Sequence, residues 1–120
     1  MPAQKGSLKE HLSRSREIKI TVTGRKSGRE ISNPVWFVME GDKLYLLPVQ
    51  GSDTQWYKNV LQHPAMRIDA RGAGQEVHAT PVTDEKTVSS IADKFREKYG
   101  DADVKKYYSK FDVAVVLPMR

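Results

Sequence analysis

Between Gly24 and Arg29 the chain reads Gly-Arg-Lys-Ser-Gly-Arg, its most concentrated set of residues for anion chemistry. A phosphate is held by backbone N–H groups in a concave turn, by a hydroxyl donor and by cationic side chains. This segment offers all three. Gly24 and Gly28 allow close backbone approach, Ser27 brings a hydroxyl, and Arg25, Lys26 and Arg29 bring charge. The Gly-x-x-x-x-Gly-Lys-Ser/Thr order is absent, which argues against nucleoside triphosphate chemistry. An exposed hairpin turn has the same composition, so this stretch alone leaves phosphate binding and simple solvation both open.

Gly51-Ser52-Asp53 is a second candidate, because it precedes a helical pattern and helix N-termini attract anions. Ser52 and Gln55 have capping-box spacing, a purely structural alternative. The charge on Asp53 would repel a bare phosphate, so a neutral polar ring edge suits the place better. Pro34 interrupts a strand pattern just before Trp36, marking an edge or bulge where a planar ligand could lie. Tyr99, Tyr107 and Tyr108 could donate protons or wall a pocket, although tyrosines near helices more often pack. His11, His63 and His78 are scattered without metal-ligand spacing, and there is no cysteine. No metal site is expected. A Gly-x-Ser-x-Gly elbow is missing and the acidic residues are dispersed, so neither hydrolase triads nor paired carboxylates find support.

These residues must be carried by strands that return on themselves. Ile18, Ile20 and Val22 alternate with Lys19, Thr21 and Thr23, which predicts a half-buried strand. A second strand is predicted from Ile31 to Met39, with Val35, Phe37 and Met39 on one face and Trp36 and Val38 on the other. Apolar residues on both faces imply cover on both sides. Further strands are predicted over Lys43–Val49, Ala65–Arg71, Gln75–Val82 and Phe111–Leu117, the middle two forming a hairpin across Gly72-Ala73-Gly74. A helix follows Ser52, with Trp56, Val60, Tyr57 and Leu61 as its apolar stripe, and Pro64 stops it. A longer helix spans Asp84–Tyr99 and ends at Gly100, and a short one covers Val104–Ser109. Strands in hairpins with helices between them exclude a doubly wound parallel sheet. They predict an antiparallel, mainly β (α+β) sheet curled into a barrel, with helices at its ends.

The 120 residues suit one domain: residues 1–16 as a polar tail with one helical turn around Leu8 and Leu12, and residues 17–120 as the barrel. Hydrophobic residues are 38% and charged residues 29%, with mean hydropathy −0.60, the balance of a folded globular chain. No apolar run could form an integral membrane segment, and the start lacks a signal-peptide core, which predicts a cytoplasmic protein. The net charge is +5. Arg14, Arg16, Lys19, Arg25, Lys26 and Arg29 cluster with only Glu17 against them, which points to an anionic partner. A nucleic-acid surface would interleave exposed aromatics with that charge, but Trp36 and Trp56 are expected to pack, so no nucleic-acid partner is expected.

Taken together, Thr23 to Gly28, Asn33-Pro34-Val35-Trp36-Phe37, Gly51-Ser52 and Trp56-Tyr57-Lys58-Asn59-Val60 resemble the deazaflavin-dependent nitroreductase and quinone reductase family. The match in order and spacing runs from about residue 18 to the last strand. The resemblance implies the FMN-binding-like split β-barrel and an oxidoreductase that carries hydride from reduced deazaflavin (coenzyme F-420) to a nitro compound, quinone or similar small electron acceptor. It implies that Arg25, Lys26, Ser27 and Gly28 contact the cofactor's phosphate and tail. The strand through Asn33, Pro34, Val35 and Trp36 would lie against the ring, while Pro48, Val49, Gln50, Gly51, Ser52 and the start of the Trp56 helix hold its polar edge. Tyr107 or Tyr108 would line the acceptor pocket and supply a proton. The family often carries an Arg where this chain has Ile31, and Arg29 is its nearest replacement. FMN, FAD or a tetrapyrrole in the same fold, with a non-catalytic carrier role, is the alternative. Split-barrel relatives often pair, so a homodimer is expected.

Overall fold

Period-two alternation builds two sheets that close on each other, seen in the computed structural model, which describes residues 11–12 and 14–119. In the first sheet β1 (Ile18–Thr23) lies between β2 (Glu30–Val35) and β5 (Ala65–Ala70), and β6 (Ala73–His78) completes the order β2-β1-β5-β6. The second sheet joins β3 (Phe37–Glu40), β4 (Lys43–Leu46), β8 (Ala114–Pro118) and β7 (Thr80–Val82), in the order β3-β4-β8-β7. Every pairing between these strands is antiparallel. Three helices connect the strands: α1 (Gln55–Gln62), α2 (Glu85–Tyr99) and α3 (Asp101–Tyr107). The chain thus forms the expected α+β split barrel of two antiparallel sheets.

Two apolar clusters explain why the sheets hold together. Ile18, Ile20 and Val22 of the first sheet meet Phe37, Leu44, Leu46, Val115 and Leu117 of the second in the barrel interior. The other face of the second sheet, through Val38, Tyr45, Ala114 and Val116, packs on Val88, Ile91, Phe95 and Tyr99 of α2. The second sheet is therefore covered on both faces, while the first leaves Lys19, Arg67 and Pro34 outward. Leu12, within the stretch expected to be a polar tail, is 2% exposed and belongs to the interior cluster. Leu8, its expected helical partner, lies outside the described residues. Among the described residues no helix is long and apolar enough to cross a membrane.

Several boundaries differ from expectation for physical reasons. The stretch from Ile31 to Met39 is two strands: Val35 pairs with Ile18 in the first sheet, and Phe37 pairs with Leu46 in the second. The break falls at Trp36, two residues after Pro34, which has no N–H to extend a ladder. Face alternation persists through the break, with Val35 and Met39 packed on the interior and Trp36 and Val38 on the helical side. Gln75–Val82 also splits between sheets at Ala79, whose N–H donates to the Pro64 carbonyl at 2.9 Å. The β5–β6 turn is the tighter pair Arg71-Gly72, both at positive φ (54° and 86°), as a two-residue hairpin turn of the first primed type requires. The last strand starts at Ala114, and Phe111 joins the helical cluster. The strand after Asp42 stops at Leu46, and α3 begins earlier, at Asp101. The N-cap of α1 is Thr54 rather than Ser52, so no capping box forms. In α1 the buried stripe is Trp56, Tyr57, Asn59 and Val60, while Leu61 is 50% exposed. By contrast, α2 starts as expected, with the Asp84 carboxylate accepting from the Thr87 N–H at 3.0 Å.

Candidate functional site

Where the two sheets part, an open cleft of 590 Å³ forms beside the β2–β3 break. Asn33, Pro34, Val35 and Trp36 line one side as the chain leaves the first sheet, and Leu47 and Val49 line the segment after β4. Thr54, Gln55 and Trp56 enter from the start of α1, Tyr107 and Tyr108 from the end of α3, and Glu17 from the entry to β1. The sequence-predicted Asn33, Pro34, Val35, Trp36, Val49, Trp56, Tyr107 and Tyr108 are thus brought together. Glu17, Leu47, Thr54 and Gln55 complete the lining without having been singled out. Glu17 is visible in the sequence only as a counter-charge, and Thr54 and Gln55 only as a helix start.

Trp36 anchors the aromatic wall. Its ring stacks on Tyr99 at 4.2 Å with an interplanar angle of 8°, meets Tyr107 edge-on at 5.6 Å and lies 6.0 Å from Tyr108. Tyr99 in turn is fixed by its hydroxyl, which donates within reach of the Phe37 carbonyl (2.8 Å) and the Arg16 carbonyl (2.7 Å) and accepts from the Phe37 N–H (3.0 Å). Arg16 lies 5.7 Å from the Trp36 ring and 5.1 Å from that of Tyr99. Tyr107 is 54% exposed, whereas Tyr108 is 5% exposed. Burial, with the neighbouring Tyr99 phenol, pushes the Tyr108 pKa well above that of a free phenol, so Tyr108 is neutral throughout the physiological range. Burial also raises Tyr99 to about 12.

Of the expected Pro48, Val49, Gln50, Gly51 and Ser52, Val49 lines the cleft and the other four lie behind it, where the segment is pinned from outside. The Gly51 N–H donates to the Pro48 carbonyl at 3.0 Å, and the Gln50 N–H donates to Thr54 Oγ1 at 2.8 Å. Gly51 adopts φ +55°, and a Cβ there would run into Asp112 and Lys110, so the turn needs glycine. Ser52 gives both its donors to Asp112: N–H to Oδ1 at 2.9 Å and Oγ to Oδ2 at 2.6 Å. A carboxylate of the chain itself therefore stands where an anion could have bound. Partial desolvation raises the Asp112 pKa, but the Ser52 donors and Lys110 outweigh it and hold the carboxyl below its ordinary value. The Ser109 N–H donates to the Val49 carbonyl at 2.8 Å. The segment that carries Tyr107 and Tyr108 thus also clamps the opposite wall.

The basic hairpin turn lies outside the cleft and is tied to it. The Arg25 N–H and Nη1 both donate to Asn59 Oδ1, at 3.1 and 2.8 Å, and Nη2 donates to Gln55 Oε1 at 3.0 Å. Asn59 is 5% exposed, so burial of this amide is what makes α1 a fixed dock for the turn. Within the turn, Gly24 N–H reaches the Arg29 carbonyl, Gly28 N–H the Gly24 carbonyl, and Arg29 N–H Ser27 Oγ. Four of the six loop amides are consumed in this way, and the Arg25 guanidinium is turned onto α1. Lys26, Ser27, Gly28 and Arg29 are exposed. Ile31 is 40% exposed and pairs with Val22. Among the described residues no group of three or more His, Asp or Glu is placed to hold a metal.

Two four-stranded antiparallel sheets around one core, open at an aromatic cleft, define a split-barrel protein. The chain belongs to the family described as an uncharacterized protein conserved in bacteria (DUF2255), whose family model matches residues 9–116. Among solved structures it is similar to an F420-H2 dependent reductase (FDR-A) at 20% identity, covering 85% of this chain and 93% of that one with a TM-score of 0.66. A second F420 reductase matches at 20% identity over 98% of this chain and 94% of that one, TM-score 0.66. The heme storage protein HutZ from Vibrio cholerae matches at 15% identity over 94% of this chain and 87% of that one, TM-score 0.70. At these identities the likeness establishes the fold.

Proposed function

We propose that the cleft binds reduced deazaflavin (coenzyme F-420) and that the protein is an oxidoreductase acting on a small electrophile. The observation that carries this reading is the junction itself. An aromatic cleft of 590 Å³ meets the exposed Lys26, Ser27 and Arg29 through the single Arg25–Gln55–Asn59 tie. The volume falls within the range of cofactor pockets, and a mostly apolar lining with a few fixed polar groups is what a tricyclic ring needs. Asn33 and Gln55 offer amide donors and acceptors, and Thr54, whose oxygen accepts from Gln50, keeps its hydroxyl proton to give.

When bound, the reduced cofactor supplies a hydride, so a quinone that takes up that hydride and one proton leaves as the hydroquinone. The residues of this chain position and shield. Trp36, held by Tyr99, presents a fixed aromatic wall; Arg25 sets the turn so that Lys26, Ser27 and Arg29 meet a phosphate. Tyr107, exposed at the cleft, would hand a proton to the acceptor, while buried Tyr108 would serve as wall. Two F420 reductases and HutZ share the fold, so both cofactor classes come into question. Among the described residues no His, Cys or Met lines the cleft, so the usual side-chain axial ligands of a tetrapyrrole other than tyrosine are missing from its described lining, which favours the deazaflavin reading. FMN or FAD would use the same wall and turn. The test is anaerobic: reduced deazaflavin mixed with the protein should be consumed only after a quinone or nitroaromatic is added. Absence of consumption with every acceptor, despite cofactor binding, rejects the enzymatic reading in favour of a carrier.

A further inference from the structure

A second groove of 520 Å³ borders the cleft and shares Glu17, Asn33 and Pro34 with it. It lies on the outward side of β2, β1 and β5 and contains Arg14, Arg16, Lys19 and Arg71 against Glu17 and Asp69. Arg16 is already engaged with Asp103 at 3.9 Å and with the Trp36–Tyr99 stack. Asp69 is occupied by Arg67 at 3.4 Å, from outside the groove. That leaves Arg14, Lys19 and Arg71 with no acidic partner among the described residues, facing one space.

The position of this groove matters as much as its charge. The hairpin turn caps the Thr23–Glu30 end of the β1–β2 ladder, and the groove flanks the Ile18–Val35 end. Five strand steps separate the two ends, about 17 Å. The aromatic cleft therefore has a cationic site toward each end, one reached through Gln55 and the other across Pro34. A phosphate on the turn uses the first and leaves the second free.

Resting on the redox reading above, we infer that the electron acceptor is a planar acid, its ring in the aromatic cleft and its carboxylate carried over Pro34 to Arg14, Lys19 and Arg71. Pro34 suits the crossing, since it puts no N–H on the strand edge and gives the acid's methylene arm a smooth apolar surface. Glu17 stands at the shared border and penalises an anion that stops short of the groove, so the favoured acceptor has an arm of several bonds between ring and charge.

The chain has two tryptophans, Trp36 and Trp56, and both line the cleft, so intrinsic fluorescence reports on it directly. The experiment compares 4-(4-nitrophenyl)butanoate with its primary amide as quenchers, without cofactor. The butanoate should bind roughly tenfold more tightly at low salt, and about 0.5 M NaCl should erase most of that advantage. Combined Arg14→Gln, Lys19→Gln and Arg71→Asn substitutions should bring the butanoate to the affinity of the amide; Asn is chosen at 71 because it tolerates positive φ. Singly, Arg14→Gln and Lys19→Gln should each remove part of the advantage, which keeps the test open if the triple variant is unstable. Equal affinities in the wild type overturn the inference. So does an advantage that survives the triple substitution and vanishes instead in Lys26→Ala/Arg29→Ala. A failed redox reading abolishes turnover with the affinity difference intact, and a failed groove levels the affinities with turnover intact.

Discussion

Trp36 concentrates the chemistry of the cleft at one residue. It stacks on Tyr99, meets Tyr107 and Tyr108, and stands at the point where the chain changes sheet. Replacing it with Leu should weaken cofactor binding by about 5- to 50-fold, the scale of one lost stacking surface, with little change in far-ultraviolet circular dichroism. Isothermal titration would measure it. Tyr107 and Tyr108 should separate in kinetics. Tyr107→Phe should lower kcat by at least roughly tenfold with cofactor affinity retained, as loss of a proton donor does. Tyr108→Phe should keep kcat, because burial makes that phenol a poor acid. Unchanged turnover in Tyr107→Phe would assign the proton to solvent. Arg25 teaches a different lesson. As an arginine in a basic turn it reads as a phosphate ligand, and two of its five guanidinium donors go to Asn59 and Gln55. Only the burial of Asn59 reveals this, and no spacing in the sequence announces an amide within the buried stripe of a helix.

Among the elements, the β1–β2 hairpin and α1 act as one unit through that tie. Asn59→Ala should therefore weaken a phosphate-bearing ligand as strongly as Arg25→Ala does, although Asn59 is buried and offers the ligand no contact of its own. Arg25→Lys should not rescue, since an ammonium cannot bridge Asn59 and Gln55 with the fork geometry of a guanidinium. Competition binding with cofactor and its dephosphorylated form would read both effects. At the opposite wall, Gly51→Ala should cost about 1–3 kcal/mol of unfolding free energy, from positive φ and the clash with Asp112, measured by urea denaturation. The faces of β2 and β3 were legible because alternation survives their break, and Pro34 marked the edge. The break itself was not, because a strand that changes sheets keeps its period-two pattern. Ser52 illustrates the same limit: its spacing from Gln55 is right for capping, but Asp112, sixty positions away, takes its hydroxyl. Non-local partners of that kind set the cleft's walls, so Glu17, Thr54 and Gln55 became site residues only in three dimensions.

The whole molecule has a pH dependence with a definite sign. Lys98 leaves part of its chain exposed, but its Nζ donates to the Phe37 carbonyl at 2.8 Å and lies 3.6 Å from the Phe37 ring centroid. Burial and the Arg16 guanidinium lower its pKa from 10.5 to about 8. Between those values the unfolded chain holds a proton that the folded chain has released, so stability should rise with pH from about 8 upward. Near pH 10 the trend should reverse. The unfolded Tyr99 ionises there, while the folded phenol holds its proton to about 12, so stability falls. Urea midpoints from about pH 7.5 to 9.5 would show the rise, and Lys98→Met should flatten it. A wild-type midpoint that falls across this window would contradict the assignment.

The split barrel places an aromatic cleft and a basic turn on one fold, and in the proposed function one cofactor uses both. The most direct measurement is a titration of the wild type and of Lys26→Ala/Arg29→Ala with reduced deazaflavin, FMN and FAD. The wild type should bind reduced deazaflavin most tightly. The double variant should lose roughly tenfold or more of that affinity while keeping its fold. Equal and weak binding of all three cofactors by the wild type, or a preference untouched by loss of both cationic side chains, would contradict it.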